Sequence, residues 1–346
     1  MKICIFGAGA IGGYLAEGLS RVEGVDLSIV ARGKHLAAIR EKGLRLLIGD
    51  EERVCRPRAT DDPSTLGPQD FVIVCLKAHQ AWEAAEQMKP LLSAHTAVVT
   101  GQNGVPWWYA HGLDGRFSEA RFPSVDPDGR QWRVIGPERA IGCVVYPATE
   151  IIELGVIKHG YGDKFALGEP DGTRSLRCER LANALIAAGF DAPVLDDIRS
   201  EIWLKLWGNL CFNPISALTR ATLDVVAAEP GTRALSIAMM TEAKKIAELF
   251  GASFRVDIER RVNGAARVGA HRTSMLQDLE HGRPLEIDAL LTSVQEMGRF
   301  AGVETPYIDA VLGLVQQLGR SLGLYPAISR KAVAHPVEAP RLRAAG

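Results

Sequence analysis

Three polar residues recur at every fourth position of an otherwise apolar segment, residues 201–214. Lys205, Asn209 and Asn213 stand among tryptophans, leucines and a phenylalanine. Since a helix turns by about 100° per residue, steps of four keep the three side chains on one slowly drifting face. The apolar residues cover the other faces, which predicts a helix buried nearly all round. Because a buried lysine is costly without polar partners, the pattern indicates one wall of a polar pocket. A structural hydrogen-bond ladder, or a lysine whose head reaches solvent, is the alternative.

A second polar cluster lies further along the chain, in residues 273–278 and 282–288. Pro284 stands where a helix can begin, and Glu286 would fall in its first turn, where a carboxylate is favourable. Such an acid is usually a helix-capping residue. A catalytic carboxylate is the alternative.

The element that would position a cofactor is a glycine-rich turn near the start of the chain. An apolar strand, residues 3–6, runs into Gly7-Ala8-Gly9-Ala10-Ile11-Gly12, and a helical pattern follows. In this context the first glycine allows a tight turn, the second lets the backbone approach a pyrophosphate, and the third permits close helix–strand packing. We therefore expect residues 7–12 to bind a dinucleotide at a helix N-terminus. A glycine-rich turn in a related fold without a cofactor is the alternative.

Arg32 indicates which dinucleotide is bound. NAD-binding sites usually have an acidic residue about twenty positions beyond the glycines, at the end of the second strand. Here the second predicted strand, residues 25–30, is followed by Arg32 and Lys34, and no acid stands beside Arg32. Because a guanidinium suits a 2′-phosphate, NADP in its reduced form, NADPH, is the expected cofactor. A solvated basic turn is the alternative.

Strand and helix patterns alternate over the first part of the chain. Apolar strands are predicted at residues 71–76 and 96–100, as parallel sheets require, then a hairpin at 156–167, a helix at 174–188 and a strand near Pro193. From Asp196 only helical patterns continue, to about Leu322. The expected fold class is α/β: an N-terminal Rossmann-type doubly wound sheet, residues 1–195, followed by an all-helical C-terminal domain, residues 196–325. A loosely held tail, residues 326–346, would follow.

Composition limits what the chain can bind. Its 346 residues suffice for two domains, and a net charge of -1 gives no nucleic-acid footprint. The six cysteines are scattered without a C-x-x-C, so we expect buried thiols in a reducing cytosol, with no metal site. No apolar run is long enough to cross a membrane. We expect a cytoplasmic monomer or homodimer that acts on a small molecule.

Together the motifs resemble the ketopantoate reductase (2-dehydropantoate 2-reductase) family. The resemblance rests on the glycine motif, Leu76-Lys77-Ala78, Gln102-Asn103-Gly104, the helix from Lys205 to Pro214, Ser274-Met275-Leu276-Gln277-Asp278 and Glu286-Ile287-Asp288, in this order over residues 1–322. It implies an NADPH-dependent oxidoreductase of pantothenate biosynthesis. The substrate would be 2-dehydropantoate, reduced to pantoate, or a bulkier 2-keto acid.

The same resemblance implies a role for each matching residue. Lys205 would be the general acid at the substrate carbonyl, and Glu286 would bond the reacting oxygen or orient the lysine. The others are Asn103 between nicotinamide and substrate, Asn209 and Asn213 on the substrate, Ser274 on its carboxylate, and Arg32 with Lys77 on the adenosine phosphate and neighbouring parts of NADPH.

Elementary chemistry agrees with these roles. Hydride arriving at a ketone carbon leaves negative charge on the oxygen, which a fixed ammonium stabilises and can protonate. A lysine of ordinary pKa, about 10.4, is already protonated at neutral pH and needs little tuning. A nearby Glu286 carboxylate would help to keep the lysine charged.

One segment is longer than the compact connection typical of the family. Residues 105–136 carry Trp107, Trp108, Tyr109 and Trp132. These aromatic side chains would either line a larger or more apolar substrate site, or pack on one another in a surface flap.

Other interpretations stay open. His271, one helical turn before Ser274, would be a core or surface residue, or part of the pocket. The architecture also suits β-hydroxyacid and opine dehydrogenases, which carry different catalytic residues. A regulator that senses NADPH without turnover is a further alternative, although Lys205 and Glu286 are both present.

Overall fold

The computed structural model describes residues 1–118 and 120–327. Its strands are β1 (Lys2–Phe6), β2 (Asp26–Val30), β3 (Leu44–Ile48), β4 (Glu51–Cys55), β5 (Arg58–Thr60), β6 (Phe71–Val74), β7 (Ala97–Thr100), β8 (Ala140–Val145), β9 (Ala148–Glu153), β10 (Val156–Tyr161) and β11 (Phe165–Gly168). Its α-helices are α1 (Ala10–Leu19), α2 (Gly33–Lys42), α3 (Ala78–Ala84), α4 (Arg130–Val134), α5 (Leu176–Ala187), α6 (Ile198–Thr219), α7 (Leu223–Ala228), α8 (Pro230–Leu249), α9 (Ile258–Ala266), α10 (Ser274–Glu280), α11 (Ser293–Ala301) and α12 (Pro306–Ser321).

The larger sheet has seven strands in the order β11-β8-β7-β6-β1-β2-β5. Neighbouring strands are parallel, except that β11 runs antiparallel to β8. Alternate residues of β1 pack on opposite faces: Ile3 and Ile5 belong to one core cluster, Cys4 and Phe6 to another. A strand covered on both faces reads as a continuous apolar run, which is why the sequence pattern revealed these strands.

A second sheet of four strands, in the order β4-β3-β10-β9, packs against α1. It consists of two antiparallel hairpins joined by parallel pairing of β3 with β10. Gly13 permits this close packing, because a Cβ atom there would lie 2.6 Å from Ile157 Cγ1. The predicted hairpin over residues 156–167 is wrong: β10 belongs to this small sheet, whereas β11 pairs in the larger one.

Helix α6 is the centre of the helical part of the chain. It contacts α8, α10 and α12 and also β8 of the larger sheet. The Asp197 side chain caps its N-terminus by accepting from Ser200 N at 3.0 Å. Trp203 and Trp207 are buried on it, so the prediction of a helix buried nearly all round is confirmed.

The predicted fold class is confirmed: a Rossmann-type α/β region is followed by helices alone among the described residues. The expected strand near Pro193 is only an isolated bridge between Leu167 and Val194. The domain boundary near residue 195 falls between β11 and α6 and stays a prediction. The predicted tail, residues 326–346, lies outside the described residues apart from Pro326 and Ala327. Within the described ranges, no helix is long and apolar enough to cross a membrane.

Candidate active site

A cleft of about 1480 Å³ opens between α6 and the carboxyl ends of β7 and β8. Open α/β sheets bind ligands at this edge. Six predicted site residues line the cleft together: Ile11, Asn103, Lys205, Asn209, Asn213 and Ser274.

The ammonium of Lys205 is bound by neutral oxygen atoms. Its Nζ donates to Asn103 Oδ1 at 2.6 Å and to the carbonyl oxygen of Val145. Burial lowers the pKa of Lys205 from 10.5 to about 8, and the smaller effects of Cys143 and Glu286 oppose this shift. The sequence had suggested a lysine that needs little tuning. Instead, burial brings its pKa close to neutral pH, where a general acid works best.

Asn103 is held in place by the chain on both sides of it. The preceding Gln102 donates from Nε2 to the carbonyl oxygen of Leu76 at 2.8 Å. The following Gly104 has φ +93°, and a Cβ atom there would lie 2.2 Å from the carbonyl oxygen of Ala289. Glycine is therefore required where this loop meets the helical region, and Asn103 is fixed beside Lys205.

Glu286 lies close enough to affect Lys205 electrostatically, but the two form no ion pair with each other in the described structure. Its Oε1 accepts from the backbone N–H of Ala78 at 3.4 Å. Burial raises the pKa of the Glu286 carboxyl, and Lys77 opposes the shift.

The prediction that Pro284 begins a helix with Glu286 in its first turn is wrong. Helical backbone begins only at Asp288, as a short π-helical stretch, Asp288–Thr292. The preceding backbone is bonded to other elements instead: Leu285 N donates to Leu324 O at 3.0 Å. That contact fixes a segment without regular secondary structure, residues 283–287, and Glu286 does not line the main cleft.

Lys77 joins the two regions of the chain. It follows β6 at the carboxyl edge of the sheet, and its Nζ donates to Asp278 Oδ2 at 2.5 Å and to the carbonyl oxygen of Pro284 at 3.1 Å. Asp278, on α10, also pairs with Arg283 at 2.9 Å. The predicted contact of Lys77 with the cofactor stays a prediction, and in this structure its ammonium is engaged by a carboxylate.

Asn213 and Ser274 meet across the cleft. Asn213 Nδ2 donates to Ser274 Oγ at 3.2 Å, which leaves the serine O–H able to donate to a ligand. Ser274 opens α10, and the preceding Thr273 caps that helix by accepting from Leu276 N at 3.3 Å. Asn209 lies one turn of α6 from each of Lys205 and Asn213.

The glycine-rich turn fits the pyrophosphate of a dinucleotide. Gly7 has φ +106°, and a Cβ atom at Gly12 would lie 2.0 Å from Gly7 O, whereas one at Gly9 would meet nothing within 4 Å. The turn is thus tight on its inner side and open on its outer side. The N-terminus of α1 has neither a side-chain cap nor an acidic residue in its first turn. Its N–H groups are therefore available to phosphate oxygens.

Arg32 is exposed at the end of β2, in the position predicted from the sequence. Its guanidinium makes no hydrogen bond or ion pair with any residue that the structure describes. Lys34, two positions on, is exposed as well. Both cations are thus free to meet an anionic group of a ligand.

Comparison with known proteins identifies the family. The model described as Ketopantoate reductase PanE/ApbA matches residues 3–121, and the one described as Ketopantoate reductase PanE/ApbA C terminal matches residues 197–319. A 2-dehydropantoate 2-reductase from Mesorhizobium japonicum is 56% identical over 309 residues, 89% of this chain and 95% of that protein. The chain belongs to the ketopantoate reductase family.

Solved structures of the family share the fold of this chain. A ketopantoate reductase homologue from Ralstonia solanacearum has a TM-score of 0.88 and 41% identity, covering 93% of this chain and 99% of that one. The 2-dehydropantoate 2-reductase from Geobacter metallireducens has a TM-score of 0.79 and 28% identity, covering 92% and 100%. The resemblance found in the sequence is confirmed. The chain is an oxidoreductase acting on a CH–OH group, of a family that uses a nicotinamide cofactor and a small keto acid.

The long segment that departs from the family pattern packs mainly as core. Trp108 and Tyr109 are fully buried, and Trp108 Nε1 donates to Thr100 Oγ1 at 2.9 Å. Trp107 packs edge to face on Trp132 and lines a smaller cavity beside the main cleft. None of these four aromatic residues lines the main cleft. Trp108 and Tyr109 therefore meet neither expectation: they belong to the core and form neither a surface flap nor a wall of the main cleft.

His271 lines the cleft, as one of the two interpretations expected. Its ring meets that of Tyr161 edge to face, with centroids 5.8 Å apart, and burial lowers its pKa. Because Tyr161 comes from β10 and His271 precedes α10, the pair closes one side of the cleft.

Two residues at the cleft were missed in the sequence. Tyr146 directly follows β8, so the rule that ligands bind at the carboxyl edge of the sheet could have found it. Arg261 lies on α9, and nothing in its local sequence separates it from the surface arginines around it. Only the packing of α9 against α7 and α8 brings it to the site.

Proposed function

We propose that this protein reduces 2-dehydropantoate to pantoate with NADPH. The observation that carries the proposal is the Lys205 ammonium, which faces the cleft with two neutral oxygen partners and no carboxylate paired to it. A cation in that state is a strong partner for an oxygen atom that gains negative charge. The family membership supports the substrate, since the relative from Mesorhizobium japonicum is a 2-dehydropantoate 2-reductase.

We infer that residues 7–12 and Arg32 hold the cofactor. When bound, NADPH supplies the hydride that reduces the keto carbon. The open turn at Gly9 and the free N-terminus of α1 suit its pyrophosphate. The unpaired Arg32 guanidinium suits its 2′-phosphate, with which a planar fork can make two hydrogen bonds.

Lys205 acts as the general acid. It donates a hydrogen bond to the keto oxygen, stabilises the charge that develops there, and transfers a proton to form the hydroxyl of the product. Asn103 and the Val145 carbonyl orient the ammonium, because both accept hydrogen bonds from Nζ. The lysine is then neutral and recovers its proton from solvent through the cleft.

The remaining residues bind the substrate or adjust the pKa of Lys205. Glu286 raises the pKa of Lys205, which favours its protonated form. Asn209 and Asn213 bind the polar groups of the substrate, and Ser274 donates its hydroxyl to the carboxylate. Cytoplasmic location and a monomeric or homodimeric state belong to the same proposal.

A panel of substrates tests the function. NADPH oxidation should be measured with 2-dehydropantoate, smaller and bulkier 2-keto acids, each with and without amino acids. We expect the highest kcat/KM for 2-dehydropantoate and no dependence on amino acids. Preference for a bulkier acid would correct the substrate alone, whereas dependence on an amine would indicate opine chemistry. NADPH binding without turnover of any keto acid would indicate a sensor.

A further inference from the structure

A guanidinium that the roles above leave unused lies on the same face of α6 as Lys205. Arg261, on α9, reaches across to Gly208, where a Cβ atom would lie 2.5 Å from Arg261 Nη2. Gly208 is three residues after Lys205 and directly before Asn209, and all of them line the main cleft. The absence of a side chain at Gly208 therefore creates the space that the Arg261 guanidinium occupies, one helical turn from the proposed proton donor.

Arg261 has no counter-charge in the described structure. Its side chain makes no hydrogen bond or ion pair with any described residue, and its Nε is fully buried without an acceptor. The ionisable groups that raise the pKa of Arg261 are Tyr146 and Cys211, and burial outweighs them. Burial raises the pKa of both, so both are neutral at neutral pH. Arg261 as a whole is half-buried, and a buried Nε without an acceptor is costly, which indicates that a ligand completes the guanidinium.

The surroundings of Arg261 strengthen the positive potential. It also lines an adjoining cleft of about 870 Å³, whose other charged lining residues are all cations. Lys164 and Arg255 are paired with Glu201, whereas Lys205, Arg260 and Arg267 form no ion pair with a described residue. Clefts lined by one sign of charge attract ligands of the opposite sign. The group that meets Arg261 is therefore an anion.

We propose that Arg261 binds the carboxylate of the 2-keto acid and makes the enzyme specific for acids over neutral ketones. The proposal rests on the function proposed above. In a 2-keto acid the carboxylate is bonded to the keto carbon, so a substrate whose keto oxygen meets Lys205 carries its carboxylate within a few ångströms of that contact. The guanidinium fork can donate a hydrogen bond to each of the two carboxylate oxygens. Ser274 is a neutral donor, and Arg261 supplies the charge that the serine lacks.

The test compares two substrates that differ only in this charge: 2-dehydropantoate and its methyl ester. For Arg261→Ala we expect kcat/KM for the acid to fall about 30-fold or more, as when one member of a desolvated ion pair is truncated. The ester should react with both proteins at similar rates, so the acid-to-ester ratio collapses. Arg261→Lys keeps the charge but loses the fork. Its kcat/KM for the acid should lie between the values for wild type and Arg261→Ala. Arg299→Gln is the matched control, because Arg299 is exposed on α11 and lines neither cleft; it should behave like wild type.

A binding measurement without turnover completes the test. Titration calorimetry with pantoate should show a similar loss of affinity in Arg261→Ala. Gly208→Ala, whose new methyl group displaces the guanidinium without removing it, should lower the acid-to-ester ratio too, which covers the case that Arg261→Ala does not fold. Equal losses for acid and ester, or unchanged pantoate affinity in a folded variant, would overturn the proposal. If wild type does not reduce the acid at all, the proposed function fails instead. Calorimetry with other 2-hydroxy acids then tests Arg261 alone: tighter binding to wild type than to Arg261→Ala supports its role, and equal binding to both proteins overturns it.

Discussion

Glu201 and Lys205 are charged residues one turn apart on α6, and they differ in their partners: Glu201 is paired with opposite charges, whereas Lys205 is not paired with any described residue of opposite charge. The Glu201 side chain is 1% exposed, and both of its oxygens have partners. Oε1 accepts from Tyr146 OH at 2.6 Å and from Lys164 at 3.4 Å, and Oε2 accepts from Arg255 at 2.6 Å. Lys205, four residues on, has only two hydrogen-bond acceptors, a side-chain amide and a backbone carbonyl.

The pKa values of the two groups report this difference. Burial alone would raise the pKa of Glu201, but Arg255 and Tyr146 outweigh it and the pKa is lowered. Burial lowers the pKa of Lys205 to about 8, and its neighbours do not compensate. A buried charge that is fully paired stabilises the fold, whereas a buried charge without a counter-charge indicates a site where a ligand binds. Arg261, whose Nε is buried without an acceptor, belongs with Lys205 by this criterion.

The largest effect is expected on catalysis, from a substitution of Lys205, the charge without a counter-charge. Lys205→Met keeps the methylene chain but removes the proton donor, and we expect kcat to fall by about two to four orders of magnitude. NADPH affinity should stay near that of wild type, because the lysine faces the substrate. Its unfolding free energy at pH 7 should not fall, since the folded state lowers the lysine pKa and so disfavours the charged form. Steady-state kinetics and denaturant unfolding check both parts, and a near-normal kcat would remove Lys205 from the mechanism.

The paired member should show the reverse pattern. Glu201→Gln keeps the shape but removes the charge that Arg255, Lys164 and Tyr146 share. We expect a loss of about 1.5–3 kcal/mol of unfolding free energy at pH 7, the usual worth of hydrogen bonds to a charged group, with kcat near wild type.

This loss should depend on pH in a defined direction. Because the folded pKa of Glu201 lies below its ordinary value of 4.5, the stabilisation is present above pH 4.5 and is lost as pH falls through the folded pKa. Denaturant curves of wild type and Glu201→Gln should therefore converge in acid. A large loss of kcat with unchanged stability would break the comparison.

Arg32 extends the comparison to the cofactor. Arg32→Ala should weaken NADPH binding by about 1–3 kcal/mol and leave NADH binding nearly unchanged, because only NADPH carries the 2′-phosphate. Fluorescence titration with the two cofactors measures the difference. Equal losses for both would show that Arg32 does not read that phosphate.

The smallest effect concerns the tuning of Lys205 by Glu286. Since the carboxylate raises the pKa of Lys205, Glu286→Gln should move the alkaline limb of the pH profile of kcat/KM toward lower pH. An unchanged limb would mean that Glu286 acts on the substrate and not on the lysine.

Local patterns in the sequence predicted the parts that local physics determines. The four-residue spacing of Lys205, Asn209 and Asn213 placed all three in one cleft, and the glycine turn was found between β1 and α1. Both depend only on the period of a helix or on the steric freedom of glycine.

The parts that long-range contacts determine could not be predicted in this way. Glu286 was expected in a helix, but its segment has no regular secondary structure and is bonded to Leu324 through the backbone of Leu285. Arg261 reaches Gly208 of α6 from α9, and Tyr146, which follows β8, bonds to Glu201. No local pattern predicts contacts between residues so far apart in the sequence. The second sheet was missed because β4 and β9 are largely exposed and lack an apolar run.

The central claim is that Lys205 delivers the proton, and the pH dependence of kcat/KM for 2-dehydropantoate tests it most directly. The group must be protonated to act, so the wild-type profile should be level below the lysine pKa and fall above about pH 8. In Lys205→Met the residual activity should be low and should lack this alkaline limb. A limb that persists unchanged in Lys205→Met would show that another group titrates, and would contradict the mechanism proposed for this cleft.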